Sequence, residues 1–279
     1  MDEKKEPTLL QQRKKDLFFS PTNGYDRLAP GEEEDIQAYC AGYKTFLDEG
    51  KTERECVDRA IAQAEAAGFR AYVRGMELKP GDRIYQVNRD KAIMLAVMGS
   101  ESLDKGVNIG AAHIDAPRLD LKPNPLIEDS EFALLKTHYY GGIRKYHWVS
   151  IPLSLRGVVV KRDGTKVDVV IGGEPGDPLL TIPDLLPHLA ADQSKKPLGE
   201  AIPAESLNIL VGSRPFKDDD GADRVKLAIM DILNERYGIT EADFISAEIE
   251  AVPAFNAVDI GFDRSLIGSY GHDDRVCGY

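Results

Sequence analysis

The chain has 279 residues, 42% hydrophobic and 29% charged, enough for one large soluble domain or two ordinary ones. With 35 Lys plus Arg against 47 Asp plus Glu the formal charge is −12, which excludes nucleic-acid binding through a broad basic face. The charged start, Met1-Asp2-Glu3-Lys4-Lys5-Glu6-Pro7, leads into no apolar core of a secretory signal, and no later stretch has the length of a membrane span, so a cytoplasmic location with soluble partners is expected.

Residues 1–30 are polar and carry Pro21-Thr22-Asn23-Gly24 and Pro30-Gly31, which predicts an extended arm with turns, with Leu17-Phe18-Phe19 available to anchor it to a partner surface. After Pro30, three glutamates precede Ile36, Tyr39, Cys40, Tyr43, Phe46 and Leu47 on one helical face, and a first helix is expected there. Thr52 with Glu55 forms a capping-box pattern, so a second helix runs to Ala67 and stops at Gly68. Strands are predicted at Arg83–Val87 and Ala92–Val97 around an Asn88-Arg89-Asp90 turn, the second covered on both faces because it is continuously apolar.

A third strand, 107–113, should be a core strand that ends on His113 and Asp115 before Pro117 stops regular pairing. Open α/β sheets bind ligands at the carboxyl ends of their strands, and helices followed by strands indicate an α/β layer structure. Beyond Pro123-Asn124-Pro125 a β-rich block begins near residue 122, with strands Leu153–Val160 and Val167–Ile171 around Arg162-Asp163-Gly164-Thr165. A proline-punctuated stretch follows, containing the apolar turn Leu185-Leu186-Pro187-His188-Leu189. Asp218-Asp219-Asp220-Gly221-Ala222-Asp223 invites a calcium reading, but the EF-hand spacing is not met, and acidic residues ahead of a helix carrying Val225, Ile229, Ile232 and Leu233 are the simpler account. Ile245–Val252 reads as a strand. Gly271-His272-Asp273-Asp274-Arg275 then forms a second polar constellation, and the chain is expected to be one part of a longer domain because Tyr279 falls where a new element begins.

Chemistry in this pattern narrows quickly. Cys40, Cys56 and Cys277 are odd in number and widely spaced, and are expected to be reduced and partly buried, so neither a disulfide framework nor a cysteine zinc site is expected. No P-loop, dinucleotide fingerprint or Gly-x-Ser-x-Gly elbow is present. His113-x-Asp115 alone fits a hydrogen-bonded structural histidine as well as it fits a metal ligand oriented by a carboxylate. Asp273-Asp274 offers a hard anionic pair for cations if folding brings it near His113. Metal-assisted hydrolysis is the chemical class left by elimination. Glu248 and Glu250 are strand residues with no paired arrangement.

The segment Ala112-His113-Ile114-Asp115-Ala116-Pro117-Arg118-Leu119-Asp120-Leu121-Lys122-Pro123 resembles the His-Thr-Asp-Ser-Pro region of the M18 family of zinc aminopeptidases, the aspartyl aminopeptidase and aminopeptidase I group. The likeness continues through Tyr140-Gly141-Gly142, Trp148, Leu153–Val160, Leu180–Leu189 and Gly271–Cys277. Trp148-Val149-Ser150-Ile151-Pro152 departs from the Trp-Phe-Asp-Arg-Asp common in that family.

The resemblance implies a three-layer α/β zinc-peptidase domain of the phosphorylase/hydrolase-like type, in residues 1–121 and 253–279, interrupted by a β-rich dimerisation domain at 122–252. It implies two Zn²⁺ ions per intact site, with His113 as a zinc ligand, Asp115 as its supporting carboxylate and Asp274 as the aspartate that bridges the metals. His188 matches a histidine that reaches the active site of a neighbouring subunit, so a homodimer or a shell of dimers acting on peptides is expected. No role is assigned to His138, His147 or His272. In the family the carboxyl-terminal half supplies adjacent glutamates, a further aspartate and a last histidine; that half is absent here, so a truncated or split aminopeptidase with an incomplete site is expected. The competing reading is a noncatalytic assembly or regulatory subunit that keeps only the dimerisation surface.

Overall fold

A computed structural model of the chain describes residues 8–217 and 221–279, so Asp218, Asp219 and Asp220 lie outside the described residues. Its contacts divide the chain into two units, residues 1–43 and 44–279, a division that falls within the second helix.

The first helix, α1 (Leu9–Leu17), lies where an extended arm was expected. Thr8 caps it, accepting from the Gln11 amide while the Gln11 side chain returns to the Thr8 amide, and the straight-chain run behind this box favours helix without burying any residue. Helix α2 (Glu32–Glu49) follows as predicted, with four acidic residues in its first turn where the helix dipole favours them. Its amphipathic face is buried in the second half, at Tyr43, Phe46 and Leu47, while Ile36 and Tyr39 are exposed. Helix α3 (Glu53–Ala66) has the expected Thr52/Glu55 capping box, and Gly68, at φ 82°, supplies the left-handed residue past its end.

Three strands form a small sheet in the order β1-β2-β3: β1 (Arg70–Ala71), β2 (Arg83–Asn88) and β3 (Ala92–Val97). The β2–β3 turn places Arg89 and Asp90 at φ 54° and 57°, the double positive φ whose twist suits a hairpin. The expectation that Ala92–Val97 is covered on both faces is corrected: α3 packs on β3, yet Met94 is 64% and Val97 61% exposed. The third strand expected at 107–113 is also not formed. That run has no backbone ladder, and Ile109 is 82% exposed. The reason is shared, since β3 pairs only with β2 among the described residues and nothing lies alongside it to receive another apolar strand.

The main core belongs to a six-stranded antiparallel sheet, ordered β7-β6-β9-β4-β5-β8. Its members are β4 (Arg118–Asp129), β5 (Phe132–Tyr140), β6 (Leu153–Val160), β7 (Lys166–Ile171), β8 (Ile209–Gly212) and β9 (Ala247–Pro253). Pro123 and Pro125, near the expected start of the β-rich block, sit inside β4, where a register shift between Leu121 and Leu126 releases the ladder around them. Leu119, Leu126, Leu135, Leu153, Val159 and Ala251 are among the side chains that close the core. Between β7 and β8 runs the loop-rich stretch with one short helix, α4 (Leu198–Ala201).

Helix α5 (Arg224–Tyr237) packs on β4 and β5, and its first amides are held by Glu128, which accepts from Val225 and Lys226 at 2.8 and 2.9 Å. After β9 come a hairpin, β10 (Val258–Ile260) with β11 (Leu266–Gly268), and one helical turn, α6 (His272–Arg275). The result is a mixed α/β fold. Among the described residues no helix is long and apolar enough to cross a membrane. Cys56 is buried and Cys40 half-buried, but Cys277, expected to be partly buried, is exposed.

Candidate metal centre

The unpaired run through residue 112 delivers His113 and Asp115 to a cavity of about 750 Å³, lined also by Glu53, Lys91, Tyr140 and Cys277. His113 Nδ1 lies 3.2 Å from the Asp115 Oδ1 and 3.2 Å from the Asp115 carbonyl oxygen. Both partners are acceptors, so Nδ1 carries the hydrogen and the neutral ring leaves its lone pair on Nε2. The second Asp115 oxygen accepts from the Tyr140 hydroxyl at 2.5 Å. That bond, with the histidine behind it, holds the Asp115 carboxyl below the usual carboxylate range, and the hydrogen bond to Asp115 pushes His113 up.

Asp274, from the far end of the chain, comes within electrostatic reach of His113. Gly271, at φ 75°, turns the backbone into α6, and a Cβ there would fall 1.9 Å from Arg275 Nη1. Arg275 is wholly buried, donating to the Lys51 carbonyl at 2.6 Å and the Tyr270 carbonyl at 3.1 Å. Tyr270 in turn donates to the Pro117 carbonyl at 2.8 Å, which ties α6 to the segment carrying Asp115. Gly278 closes against that segment, since a Cβ on it would lie 2.8 Å from Ile114 Cγ2. Half-buried, the Asp274 carboxyl is pushed up by burial while its attraction to His113 pulls it down. The structure thus joins His113 to Asp115 by a hydrogen bond and sets Asp274 within electrostatic reach of His113, although Asp274 is not among the residues lining the cavity. His188 sits on an exposed turn and is not among the residues lining this cavity, and His272 Nε2 is spent on the Ile267 carbonyl at 3.0 Å.

Glu248 and Glu250 are not without an arrangement, as their sequence positions suggested. Carboxylate oxygens of Glu53, Glu248 and Glu250 lie within 4.8 Å of one another, because α3 presents Glu53 beside β9. Cationic side chains already occupy this cluster: Arg118 meets Glu53 at 3.3 Å, Glu250 at 3.6 Å and Asp120 at 2.9 Å, while Lys91 bridges Glu53 and Glu248, and Arg54 pairs with Glu248. A metal would have to displace them. Burial outweighs the pull of Arg118, which is shared among three carboxylates, and pushes Glu250 up to about 8. Arg118 also stacks on Tyr140, 4.0 Å from the ring centroid. Sequence reasoning missed Tyr140, Arg118 and Glu53 as parts of the site; Tyr140 and Arg118 fell within the Tyr140-Gly141-Gly142 and Ala112–Pro123 likenesses, but no role attached to either.

The donor chemistry around His113 fits zinc. An imidazole whose Nδ1–H is held by a carboxylate offers Nε2 to a metal, and Asp274 offers carboxylate oxygen, two donors where a tetrahedral site takes four. A family model described as aminopeptidase I zinc metalloprotease (M18) matches residues 46–279. The chain belongs to the M18 family. It is 47% identical over 268 residues to a probable M18 family aminopeptidase 1 of Clostridium acetobutylicum, covering 95% of this chain and 58% of that protein. Among solved structures, the M18 aminopeptidase of Thermotoga maritima superposes with a TM-score of 0.87 at 45% identity, covering 94% of this chain and 56% of that one. Aminopeptidase I of Borrelia burgdorferi gives a TM-score of 0.81 at 40% identity, covering 92% and 58%. This M18 chain therefore spans little more than half the length of the relatives it matches.

Proposed function

We propose that this M18 chain carries one part of a dinuclear-zinc aminopeptidase site that removes amino-terminal residues from peptides. The observation that carries the reading is that His113, held by Asp115 through Nδ1, has Asp274 on α6 within electrostatic reach. In this reading His113 and Asp274 hold metal, and Asp115 fixes the tautomer that frees Nε2. Bound zinc supplies Lewis-acid chemistry for the attack of water on a peptide bond. Two donors fall short of filling two zinc sites, so the chain alone is proposed to bind zinc weakly and not to turn over.

Residues 1–121 and 253–279 are assigned to the three-layer metallopeptidase domain and residues 122–252 to the dimerisation domain; the antiparallel sheet from β4 to β9 supports a β-rich unit between them, with its outer strand ends, Arg118 and Pro253, just outside these bounds. Homo-oligomerisation in the cytoplasm completes the proposal, with His188 serving a neighbouring subunit from its exposed turn. The His113–Asp115 pair with Asp274 in electrostatic reach argues against a purely noncatalytic assembly subunit.

Zinc titration of the purified chain tests the assignment. Zn²⁺ affinity is expected to drop at least about tenfold in His113→Ala and in Asp274→Asn, given the loss of a ligand. Unchanged affinity in both variants would sink the ligand assignment, and release of chromophore from an aminoacyl anilide by the isolated chain with zinc would sink the claim that its site is incomplete.

A further inference from the structure

The geometry points to Tyr140 as a positioning residue that sets the tautomer of His113 through Asp115. This inference rests on the reading of His113 as a metal ligand. Asp115 must present Oδ1 to Nδ1–H, and a carboxylate on a flexible loop can rotate away from that bond. Here rotation is blocked because Oδ2 is engaged by the Tyr140 hydroxyl at 2.5 Å, so both oxygens are committed at once.

The tyrosine is itself held. Arg118 and Tyr140 are opposite residues on β4 and β5, and the guanidinium lies 4.0 Å from the ring centroid. Arg118 is fixed in place by Asp120, Glu53 and Glu250, three carboxylates from β4, α3 and β9. Gly141, at φ 74°, lets the chain leave β5 directly over Pro117, where a Cβ would come within 3.3 Å of the proline ring. The rigid sheet therefore fixes a carboxylate on a segment that has no ladder of its own. The buried Glu53–Arg118–Glu250 network thereby acquires a task beyond holding α3 to the sheet: it is the support on which Tyr140 rests.

Two measurements on the full chain test this. In metal-free protein at alkaline pH, the neutral His113 ring is read by nitrogen NMR of labelled histidine. Wild type is expected to hold its proton on Nδ1, and Tyr140→Phe, which keeps the ring under Arg118, to shift the population toward Nε2–H. Tyr139→Phe, whose side chain projects from the opposite face of β5, should leave it unchanged. An unchanged tautomer in Tyr140→Phe, or an equal shift in Tyr139→Phe, would overturn the proposal. In Zn²⁺ titrations, Tyr140→Phe should weaken affinity about tenfold, the scale of supporting partners of a ligating histidine. Because Tyr140 acts through Asp115, Tyr140→Phe should cost nothing further in an Asp115→Asn background; additive losses would refute the route. Zinc affinity indifferent to His113→Ala would instead remove the ligand reading while the tautomer shift still reported on Tyr140.

Discussion

At Glu250, burial keeps the carboxyl protonated up to about pH 8, whereas in the unfolded chain the same group ionises near its ordinary 4.5. The unfolded state releases the proton first, so stability falls as pH rises from about 4.5 to about 8. Lys51 acts in the opposite sense. Burial between the Pro253 and Phe255 carbonyls lowers it from 10.5 to about 8, so its contribution is complete above 10.5 and is lost as pH falls through 8. Urea unfolding across this range should therefore show a minimum near pH 8, and Glu250→Gln should flatten the acidic side of the curve. Parallel curves for wild type and variant would assign the slope to another group. The cysteines separate by the same physics: burial pushes the Cys56 thiol up to about 11, and mass mapping after brief alkylation should find Cys277 modified and Cys56 intact.

At the scale of elements, β6 and β9 approach so closely at Gly157 that a Cβ would fall 1.9 Å from the Glu248 carbonyl oxygen, on a backbone with φ 152°. Gly157→Ala is expected to cost at least about 2 kcal/mol of unfolding free energy from strain and overpacking, read as a lower urea midpoint. A midpoint matching wild type would contradict this close approach. Local chemistry of this kind decided which elements could be read in advance. Helix α3 was legible because Thr52, Glu55 and Gly68 are start and stop signals contained in the element itself. Helix α1 carries a box of the same kind at Thr8 and Gln11, obscured by the absence of an apolar stripe. Residues 107–113 misled for the converse reason: their composition suits a strand, but a ladder requires a neighbour and composition cannot provide one.

Over the whole molecule, apolar sequence and apolar core do not coincide. Leu119, fully buried, anchors the six-stranded sheet, and Leu119→Ala should cost about 2–5 kcal/mol by cavity formation. Met94 belongs to an equally apolar strand yet stands in solvent, so Met94→Lys should stay within about 0.5 kcal/mol of wild type by the same urea titration. A large loss at Met94 would show that β3 is covered in solution. The site divides along a similar line. His113, Asp115 and Asp274 were legible as chemistry-bearing types in short constellations, whereas Tyr140, Arg118 and Glu53 acquire meaning only from strand register and from the packing of α3 against β9, relations between distant segments that no single stretch displays.

The hydrogen bond from Arg275 to the Lys51 carbonyl closes a loop of 224 residues. A contact of that span is expected to form late, after the sheet between its ends has been assembled, because the entropy of closing so long a loop is repaid only by structure already present. A nascent chain with β4 and β5 complete would thus own His113 and Asp115 yet have no Asp274 beside them. Zinc capture would then mark the end of maturation rather than its beginning, and metal offered during refolding should leave the early rates untouched while slowing the release of the finished fold.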